Sequence, residues 1–446
     1  MPATIPIGPY RTLRLPEGGE FPYYIIPFDK HGYCEGPKTE EHLHDHSAGY
    51  SDIFLFSHGW NNDWTAATNR YESFITGVQS LRHQHGLPVP PAYKPLLVGV
   101  FWPSQALSWF ESETGPGFAA ADPGAQDQAA NELSQTLRDI SSDLTPDKRA
   151  RFYRLFQSEK LESKESIELA ELLADITSAD TEEGTTQKPQ AVDLLAAAVS
   201  INEPEPDFET IGVAAGSPQT PQAAFSFGDV AGALDPRNIV KPFTVWQMKD
   251  RAGKIGARGV AALLQGLLNR SGARIHLIGH SFGCKVVMTA LSRIDDSSRL
   301  AESALLLQPA VSQYAFAATV PERGVPGGFF KALKRVRLPI LSTFSAHDQA
   351  LTKMFHLAVR RHDDLGELQM AATGTPSRFG ALGGFGPQPQ DLPNVRILDP
   401  VQSYTLGAGR RVIGIDGSRT ISGHGDISNP STWWALHSLA TAHMHS

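Results

Sequence analysis

One short stretch, residues 274–287, constrains the fold of this 446-residue chain more than any other. An apolar run with two isoleucines stops at Gly279, and apolar residues at helical spacing resume after Gly283. This pattern predicts a β-strand, a tight turn and an α-helix. Ser281 lies between the two glycines, and a Gly-x-Ser-x-Gly turn exposes the serine hydroxyl and directs the first amides of the helix at its target. An ordinary strand-to-helix turn is the alternative interpretation.

A second predicted strand upstream ends in a His-Gly pair. Residues 52–56 form a short, largely apolar run that is typical of a strand buried on both faces of a parallel sheet, and His58-Gly59-Trp60 follows it closely. Glycine in this loop lets a backbone amide approach a developing oxyanion. We therefore expect the amides of Trp60 and Phe282 to form an oxyanion hole, with His58 and Gly59 as the supporting loop. Alternatively, Gly59 only turns the chain towards the next helix.

Ser281 would need two partners. A serine hydroxyl is a poor nucleophile at neutral pH unless a histidine takes its proton, and the histidine needs a carboxylate to orient it. After this kind of turn, the acid and then the histidine should follow in the sequence, each on a loop beyond a strand. Asp348, after the predicted strand at residues 338–344, and His424, in a Gly-His-Gly segment, meet these conditions. Asp399, at the end of the last predicted strand, is an alternative acid.

Together, these motifs resemble the α/β-hydrolase fold family, and within it a bacterial branch of serine hydrolases of lipase or esterase type. The resemblance covers about residues 52–110 and 243–429. Its motifs are a His-Gly-aromatic-Asn-Asn loop, a Trp-Pro-Ser strand end, a Gly-His-Ser-x-Gly turn, a Ser-x-x-Asp-x-Ala-Leu loop and a late Gly-His, at residues 58–62, 102–104, 279–283, 345–351 and 423–424. The resemblance implies an α/β-hydrolase fold, a mostly parallel sheet flanked by helices, with Ser281 as nucleophile, Asp348 as orienting acid and His424 as base.

The composition changes after residue 110. From about residue 111 to 240, alanine, glutamate, aspartate, glutamine and proline are frequent and no buried strand is predicted. Leucine and alanine recur at helical spacing in three segments, residues 128–140, 146–157 and 163–176. Two others have the composition of exposed linkers, residues 180–190 and 203–217. We expect residues 1–110 and 241–446 to form one discontinuous catalytic domain, and residues 111–240 a large helical cap insertion. A partner-binding or disordered appendage is the alternative.

A cluster of possible metal ligands lies near the amino terminus. His42, His44, Asp45 and His46 resemble the His-x-His-x-Asp-His signature of metallo-β-lactamase-type hydrolases, with one residue missing before the aspartate. Because this shift changes which side chains converge, we interpret the segment as a solvated loop. A metal-dependent hydrolase that uses His42, His44 and His46 is kept as an alternative.

Charge and composition narrow the possible partners. A net charge of −8 and a pI near 6.1 argue against nucleic acid or anionic lipid as a partner. No signal peptide or membrane-spanning run is predicted, so we expect a cytoplasmic enzyme, although export without a leader would leave no readable signal. Cys34 and Cys284 lie far apart, which argues against a disulfide framework.

The expected function is a serine hydrolase, esterase-like or lipase-like, that cleaves carboxylic esters through a Ser-His-Asp triad and an acyl-enzyme. It would need no metal or organic cofactor, and its substrate would be a small-molecule or lipid-like ester. An acyltransferase or amidase would use the same residues. A non-catalytic interaction protein on the same fold is a further alternative, which predicts an incomplete triad. The oligomeric state is not predicted.

Overall fold

The computed structural model describes residues 5–16, 19–90, 92–105, 123–177, 188–202, 234–321, 323–355, 380–389, 394–407, 409 and 411–444. The strands within these residues are β1 (Arg11–Arg14), β2 (Glu20–Pro27), β3 (Asp52–Ser57), β4 (Pro95–Phe101), β5 (Arg274–His280), β6 (Ser303–Leu307), β7 (Ile340–Phe344), β8 (Val395–Arg396) and β9 (Val412–Asp416).

The α-helices of the same residues are α1 (Pro37–His46), α2 (Trp64–Gln84), α3 (Pro123–Ser142), α4 (Pro146–Phe156), α5 (Ser163–Asp175), α6 (Ala191–Asn202), α7 (Pro236–Ile255), α8 (Ala261–Arg270), α9 (Phe282–Arg293), α10 (Leu382–Phe385) and α11 (Pro430–Thr441). Two π-helical turns are Gly256–Val260 and Ala350–Met354. Short 3₁₀ turns are Ser47–Gly49, Phe330–Lys334 and Ala442–Met444.

The strands form one mixed, mostly parallel sheet in the order β1-β2-β4-β3-β5-β6-β7-β9-β8, as expected for an α/β chain. Only the β1–β2 pair is antiparallel among the strand pairs of the described residues. Ser57 pairs with Gly279, and His280 pairs with Leu307. The carboxyl ends of β3, β5 and β6 therefore meet at one edge of the sheet.

Apolar side chains cover both faces of the sheet, because neighbouring residues of a strand point to opposite sides. On one face, Leu55 and Leu277 belong to a cluster that includes α7, α8 and α9. On the other face, Phe56 and Ile278 pack with residues of α2 and α11. Both faces being buried explains why the central strands appear as continuous apolar runs in the sequence.

Two details of the predicted sheet were wrong. Residues 21–29 form an aromatic and β-branched run with two prolines, which predicts an edge strand, but β2 is internal because β1 pairs with its outer side. Its prolines, Pro22 and Pro27, lie near the ends of the strand, where a missing amide disrupts the ladder least. At the other edge, residues 395–398 were expected to form the last strand, with residues 411–415 as a possible addition. Strand β8 has only two residues, whereas β9 confirms the addition and lies inside β8.

Between β4 and β5, the described residues form helices and the loops that join them, and their β-structure is limited to an isolated bridge between Leu161 and Leu234. Helices α3, α4 and α5 confirm the three helical segments expected there, and α6 was not predicted. Their apolar residues form a separate cluster with the first half of α7. Because α7 begins at Pro236, the expected boundary at residue 240 lies inside a helix. The two expected linkers lie outside the described residues, except for residues 188–190.

Candidate active site

Ser281 lies on the turn between β5 and α9, as the sequence predicts, and its backbone is strained. Its φ of 55° and ψ of −125° are unfavourable for a residue with a Cβ atom. Gly283 is required two residues later, because a Cβ atom there would clash with the backbone oxygens of Ser57 and His58. The end of β6 supports the turn, since the Ser281 amide donates to the Leu307 carbonyl at 3.1 Å.

The histidine and the carboxylate expected from the sequence lie in line with this serine. The Ser281 hydroxyl lies 2.9 Å from Nε2 of His424. Nδ1 of His424 lies 2.8 Å from Oδ2 of Asp348, which is fully buried. Because a carboxylate only accepts, Nδ1–H donates to Asp348 and Nε2 is left to accept from the serine hydroxyl. The arrangement suits proton transfer from Ser281 to His424.

The two candidate acids have different environments. The Leu351 amide donates to Oδ1 of Asp348 at 3.0 Å, so backbone and histidine together orient this carboxylate. Asp399, the alternative acid, forms an ion pair with Arg419 at 2.6 Å, and its side chain is 52% exposed. Of the two, only Asp348 contacts His424.

The loop that carries His424 is held by residues that the sequence analysis did not assign to the site. Nε2 of Gln308 lies 2.6 Å from the Gly423 carbonyl oxygen and 3.4 Å from Oδ2 of Asp348. Nε2 of His280 lies 2.9 Å from the carbonyl oxygen of His424 itself. Gln308 directly follows the strand β6, so its position beside the nucleophile strand was the available signal.

His58, expected in the supporting loop, is fully buried beneath the site. Its ring stacks on that of Trp102 at 5.2 Å, and its Nε2 accepts from the Trp102 amide at 3.2 Å. Nδ1–H of His58 donates to the Gly59 carbonyl at 2.8 Å. Burial lowers the pKa of His58 to about 3. His58 is therefore a neutral structural residue that joins the His-Gly loop to the Trp-Pro-Ser strand end.

The loop after β3 runs directly against the nucleophile. A Cβ atom on Gly59 would lie 2.6 Å from the Cβ atom of Ser281, so no other residue fits without displacement. The side-chain amide of Asn62 donates to the Trp60 carbonyl at 2.7 Å, and the Asn62 amide donates to Oγ of Ser104 at 3.1 Å. These contacts shape the loop that contains Trp60.

Phe282, the other expected oxyanion residue, is the first residue of α9. At this position the amide has no carbonyl partner within its own helix, and the helix dipole favours negative charge. The rings of Trp60 and Phe282 have centroids 6.1 Å apart. Phe282 directly follows Ser281, and Trp60 is in contact with Phe282.

The cysteines do not offer a competing nucleophile. Burial raises the pKa of Cys284, three residues after the serine, well above its usual value. Burial also raises the pKa of Cys34 to about 12. Both thiols remain protonated at neutral pH, and the thiolate is the reactive form.

The possible metal ligands near the amino terminus do not converge. The expected solvated loop is wrong, because these residues belong to α1, which starts with Pro37 and buries Leu43. His42 and His46 lie one turn apart and stack at 4.0 Å, whereas His44 lies two residues from each and faces Glu40 and α8. No group of three or more histidine, cysteine, aspartate or glutamate side chains comes together as metal ligands in the described parts of the chain.

The chain matches no protein-family model, no curated protein and no solved structure. The chemistry of the site is therefore argued from its own residues. Among the helices that the structure describes, none has both the length and the apolar character needed to cross a bilayer.

Proposed function

We propose that this protein is a serine hydrolase of the α/β-hydrolase fold that cleaves carboxylic esters. The observation that carries the proposal is the continuous hydrogen-bonded chain from Ser281 through His424 to Asp348, with contacts of 2.9 and 2.8 Å. The strained serine turn at the carboxyl end of a parallel strand is the second support. Burial of Asp348 is the third, since a buried carboxylate that already contacts His424 can stabilise the imidazolium formed during the reaction.

In the first half of the reaction, Oγ of Ser281 attacks the ester carbonyl carbon while Nε2 of His424 takes the hydroxyl proton. A bond forms between Oγ and carbon, and the carbonyl oxygen becomes an oxyanion. The amides of Phe282 and Trp60 would stabilise this charge. Collapse of the intermediate breaks the bond to the alcohol oxygen, and His424 donates its proton to the departing alcohol.

In the second half, water attacks the acyl-enzyme. His424 takes a proton from the water, and the new hydroxyl adds to the acyl carbon. Collapse then breaks the bond between Oγ and carbon, His424 returns the proton to Ser281, and the carboxylic acid leaves. An alcohol or amine in place of water would give acyl transfer with the same residues.

The helices of residues 111–240 would act as a cap over this site. The insertion follows the carboxyl end of β4, which is at the same sheet edge as the turn that carries Ser281. Helix α7 continues from the insertion into the sheet domain. Nζ of its Lys249 lies 5.5 Å from the ring centroid of Phe355, and that centroid lies 6.5 Å from the ring centroid of Phe282. Aromatic rings beside the serine suit the apolar acyl group of a small-molecule or lipid-like ester.

Labelling by a fluorophosphonate probe tests the proposal. The purified wild type should be labelled covalently, and Ser281→Ala should not, because the probe reacts with an activated serine. The p-nitrophenyl esters of graded chain length then report the depth of the acyl site. A folded wild type that the probe does not label and that cleaves none of these esters would overturn the proposal and favour the interaction protein.

A further inference from the structure

The proposed base lies in a segment that is intrinsically flexible. His424 has a glycine on each side, Gly423 and Gly425, and glycine loses more conformational freedom on folding than any other residue. A Cβ atom on Gly425 would meet no atom within 4 Å, so close packing does not fix this side of the loop. A histidine that must stay in reach of Oγ therefore needs other restraints.

Two buried side chains supply these restraints on consecutive carbonyl groups. Gln308 donates to the Gly423 carbonyl at 2.6 Å and His280 donates to the His424 carbonyl at 2.9 Å. Gln308 is fully buried and His280 is 3% exposed. The two carbonyls belong to the peptide units immediately before and after the Cα atom of His424, so the donors restrain the backbone on both sides of the base.

Arg70 determines which nitrogen of His280 carries the proton. Nη1 of Arg70 lies 3.2 Å from Nδ1 of His280, and a guanidinium can only donate. Nδ1 must therefore accept, which leaves the proton on Nε2, where it faces the His424 carbonyl. Burial and then the charge of Arg70 lower the pKa of His280 well below its usual value, so the ring stays neutral and keeps this tautomer.

Gln308 holds its position at a cost in stability. Its φ of 43° is in the left-handed region, and its amide is fixed by donation to the Thr343 hydroxyl at 3.0 Å. Its Nε2 faces two acceptors, the Gly423 carbonyl and Asp348, whereas its Oε1 is buried without a hydrogen-bond partner. A buried acceptor without a hydrogen-bond partner is unfavourable for folding. A left-handed backbone conformation and an unpaired buried oxygen both reduce stability, so stability alone does not explain why a glutamine occupies position 308.

We propose that Gln308 and His280, the latter oriented by Arg70, are positioning residues that clamp the peptide units around His424 and so keep its Nε2 within reach of Ser281. The inference rests on the proposed function, because it assigns a role in the same reaction. Neither side chain touches the reacting atoms, so both act through His424.

Three substitutions each weaken one part of the clamp, and a fourth keeps the donor at position 280. Gln308→Leu and His280→Leu each remove one donor, and Arg70→Met, at a partly exposed position, removes the group that orients His280. His280→Gln is the rescue variant, because the glutamine nitrogen can replace Nε2 of histidine as donor. Gln79→Leu is the matched control, since it also removes a buried glutamine, here from α2. The measurements are the rate constant of fluorophosphonate labelling, kcat and KM for a p-nitrophenyl ester, and Tm.

We expect Gln308→Leu and His280→Leu to lower kcat and the labelling rate constant by about 10-fold to 100-fold, with KM nearly unchanged, because a misplaced base slows the chemical step. His280→Gln should recover most of the loss, and Gln79→Leu should lower only Tm. Wild-type rates in the folded leucine variants would overturn the clamp while leaving the proposed function intact. If those variants do not fold, a wild-type rate for Arg70→Met overturns it instead. An unlabelled wild type would count against the proposed function itself.

Discussion

Three histidines surround Ser281, and their surroundings give them different roles. His424 is partly exposed and contacts both the serine and a buried carboxylate. His58 and His280 are buried, and burial lowers the pKa of each. Of the three, only His424 is both reachable and paired, as the proposed base must be, and the other two are neutral hydrogen-bonding residues.

The identity of the acid can be tested with one substitution and a matched control. We expect Asp348→Asn to lower kcat by about 10⁴-fold, because the amide would no longer hold the productive tautomer of His424. Asp399→Asn should leave kcat within about twofold, because Asp399 pairs with Arg419 at a half-exposed position. Steady-state ester hydrolysis measures both. The reverse ranking would assign the acid to Asp399.

The two neutral histidines predict sensitivity to acid. In the folded state the pKa of His58 is about 3, against an ordinary value of 6.5, so between these values the unfolded chain binds a proton that the folded chain does not. Stability is then full above pH 6.5 and falls with decreasing pH, by up to about 1.4 kcal/mol per pH unit for each such histidine. The pKa of His280 is shifted in the same direction.

Urea unfolding between about pH 7 and pH 5 measures this dependence. The variant His58→Asn should be less stable than the wild type at neutral pH. Near pH 5, however, its unfolding should take up about one proton fewer than unfolding of the wild type, so its free energy of unfolding should change less with pH. If the free energy of unfolding had the same slope against pH in the wild type and the variant, His58 would titrate normally in the folded protein.

At the residue scale, the sequence predicted the groups that define a chemical motif and missed the ones that act through contacts. Ser281, Asp348 and His424 could be found because their order and their positions after strands follow from the requirements of acyl transfer. Gln308 and Arg70 belong to no motif. Only the fold brings Gln308 within hydrogen-bond distance of Gly423, and Arg70 within hydrogen-bond distance of His280, because each pair is more than a hundred residues apart in the sequence.

At the scale of elements, a buried ion pair joins the central strands β3 and β5 at the end opposite Ser281. Arg274, which begins β5, binds both carboxylate oxygens of Asp52, which begins β3, each at 2.8 Å. His276 lies 3.2 Å from the same carboxylate. Burial alone would raise the pKa of Asp52, but the hydrogen bonds from His276 and Arg274 outweigh it, and the pKa is lowered.

Removing this carboxylate should loosen the centre of the sheet. We expect Asp52→Ala to lower the free energy of unfolding by about 3 to 5 kcal/mol, because it leaves buried cationic and polar groups without their partner. Glu72→Ala, which breaks the exposed pair with Arg11, should change it by less than about 1 kcal/mol. Since the folded pKa of Asp52 lies below 3.8, its contribution is constant above that value and is lost only in stronger acid. Equal effects of the two substitutions would contradict this assignment.

Strands and helices were predicted correctly where burial produces a clear run or period of apolar residues in the sequence. Strands β3 and β5 contain short runs of buried apolar residues and were placed correctly. Strand β1 was missed because it has four residues, of which only one is partly buried, and α1 was missed because three histidines obscure a helix with little apolar surface. Short edge strands and polar helices are specified by their neighbours more than by their own residues.

At the scale of the whole molecule, a polar seam joins the inserted helices to the sheet. Arg251 of α7, whose side chain is 4% exposed, forms an ion pair with Asp139 of α3 and donates to the Pro103 carbonyl beyond β4 at 2.9 Å. Lys30, after β2, contacts Asp143 and Ser142 at the end of α3. A cavity of about 230 Å³ lies along this seam. Charged side chains line it, including Lys30, Asp143 and Arg251, so the interface is not closely packed there.

We expect this interface to open locally while the sheet stays folded. Substitution of Arg251 tests this expectation. We expect Arg251→Met to speed limited proteolysis within the insertion by about 10-fold, because the buried ion pair with Asp139 and the hydrogen bond to Pro103 are lost together. Lys148→Met, which breaks the exposed pair with Asp175 inside the insertion, should leave the rate unchanged.

Fragment mapping by mass spectrometry locates the cleavages, and labelling of Ser281 by the small fluorophosphonate probe checks that the part of the protein around Ser281 is unchanged. If the insertion acts as a cap, Arg251→Met should also change the preference among ester chain lengths while the small probe still reacts at the wild-type rate. Faster proteolysis with an unaltered ester preference would support local opening of the insertion but contradict its role as a cap. The insertion would then be an appendage that opens without controlling access to Ser281.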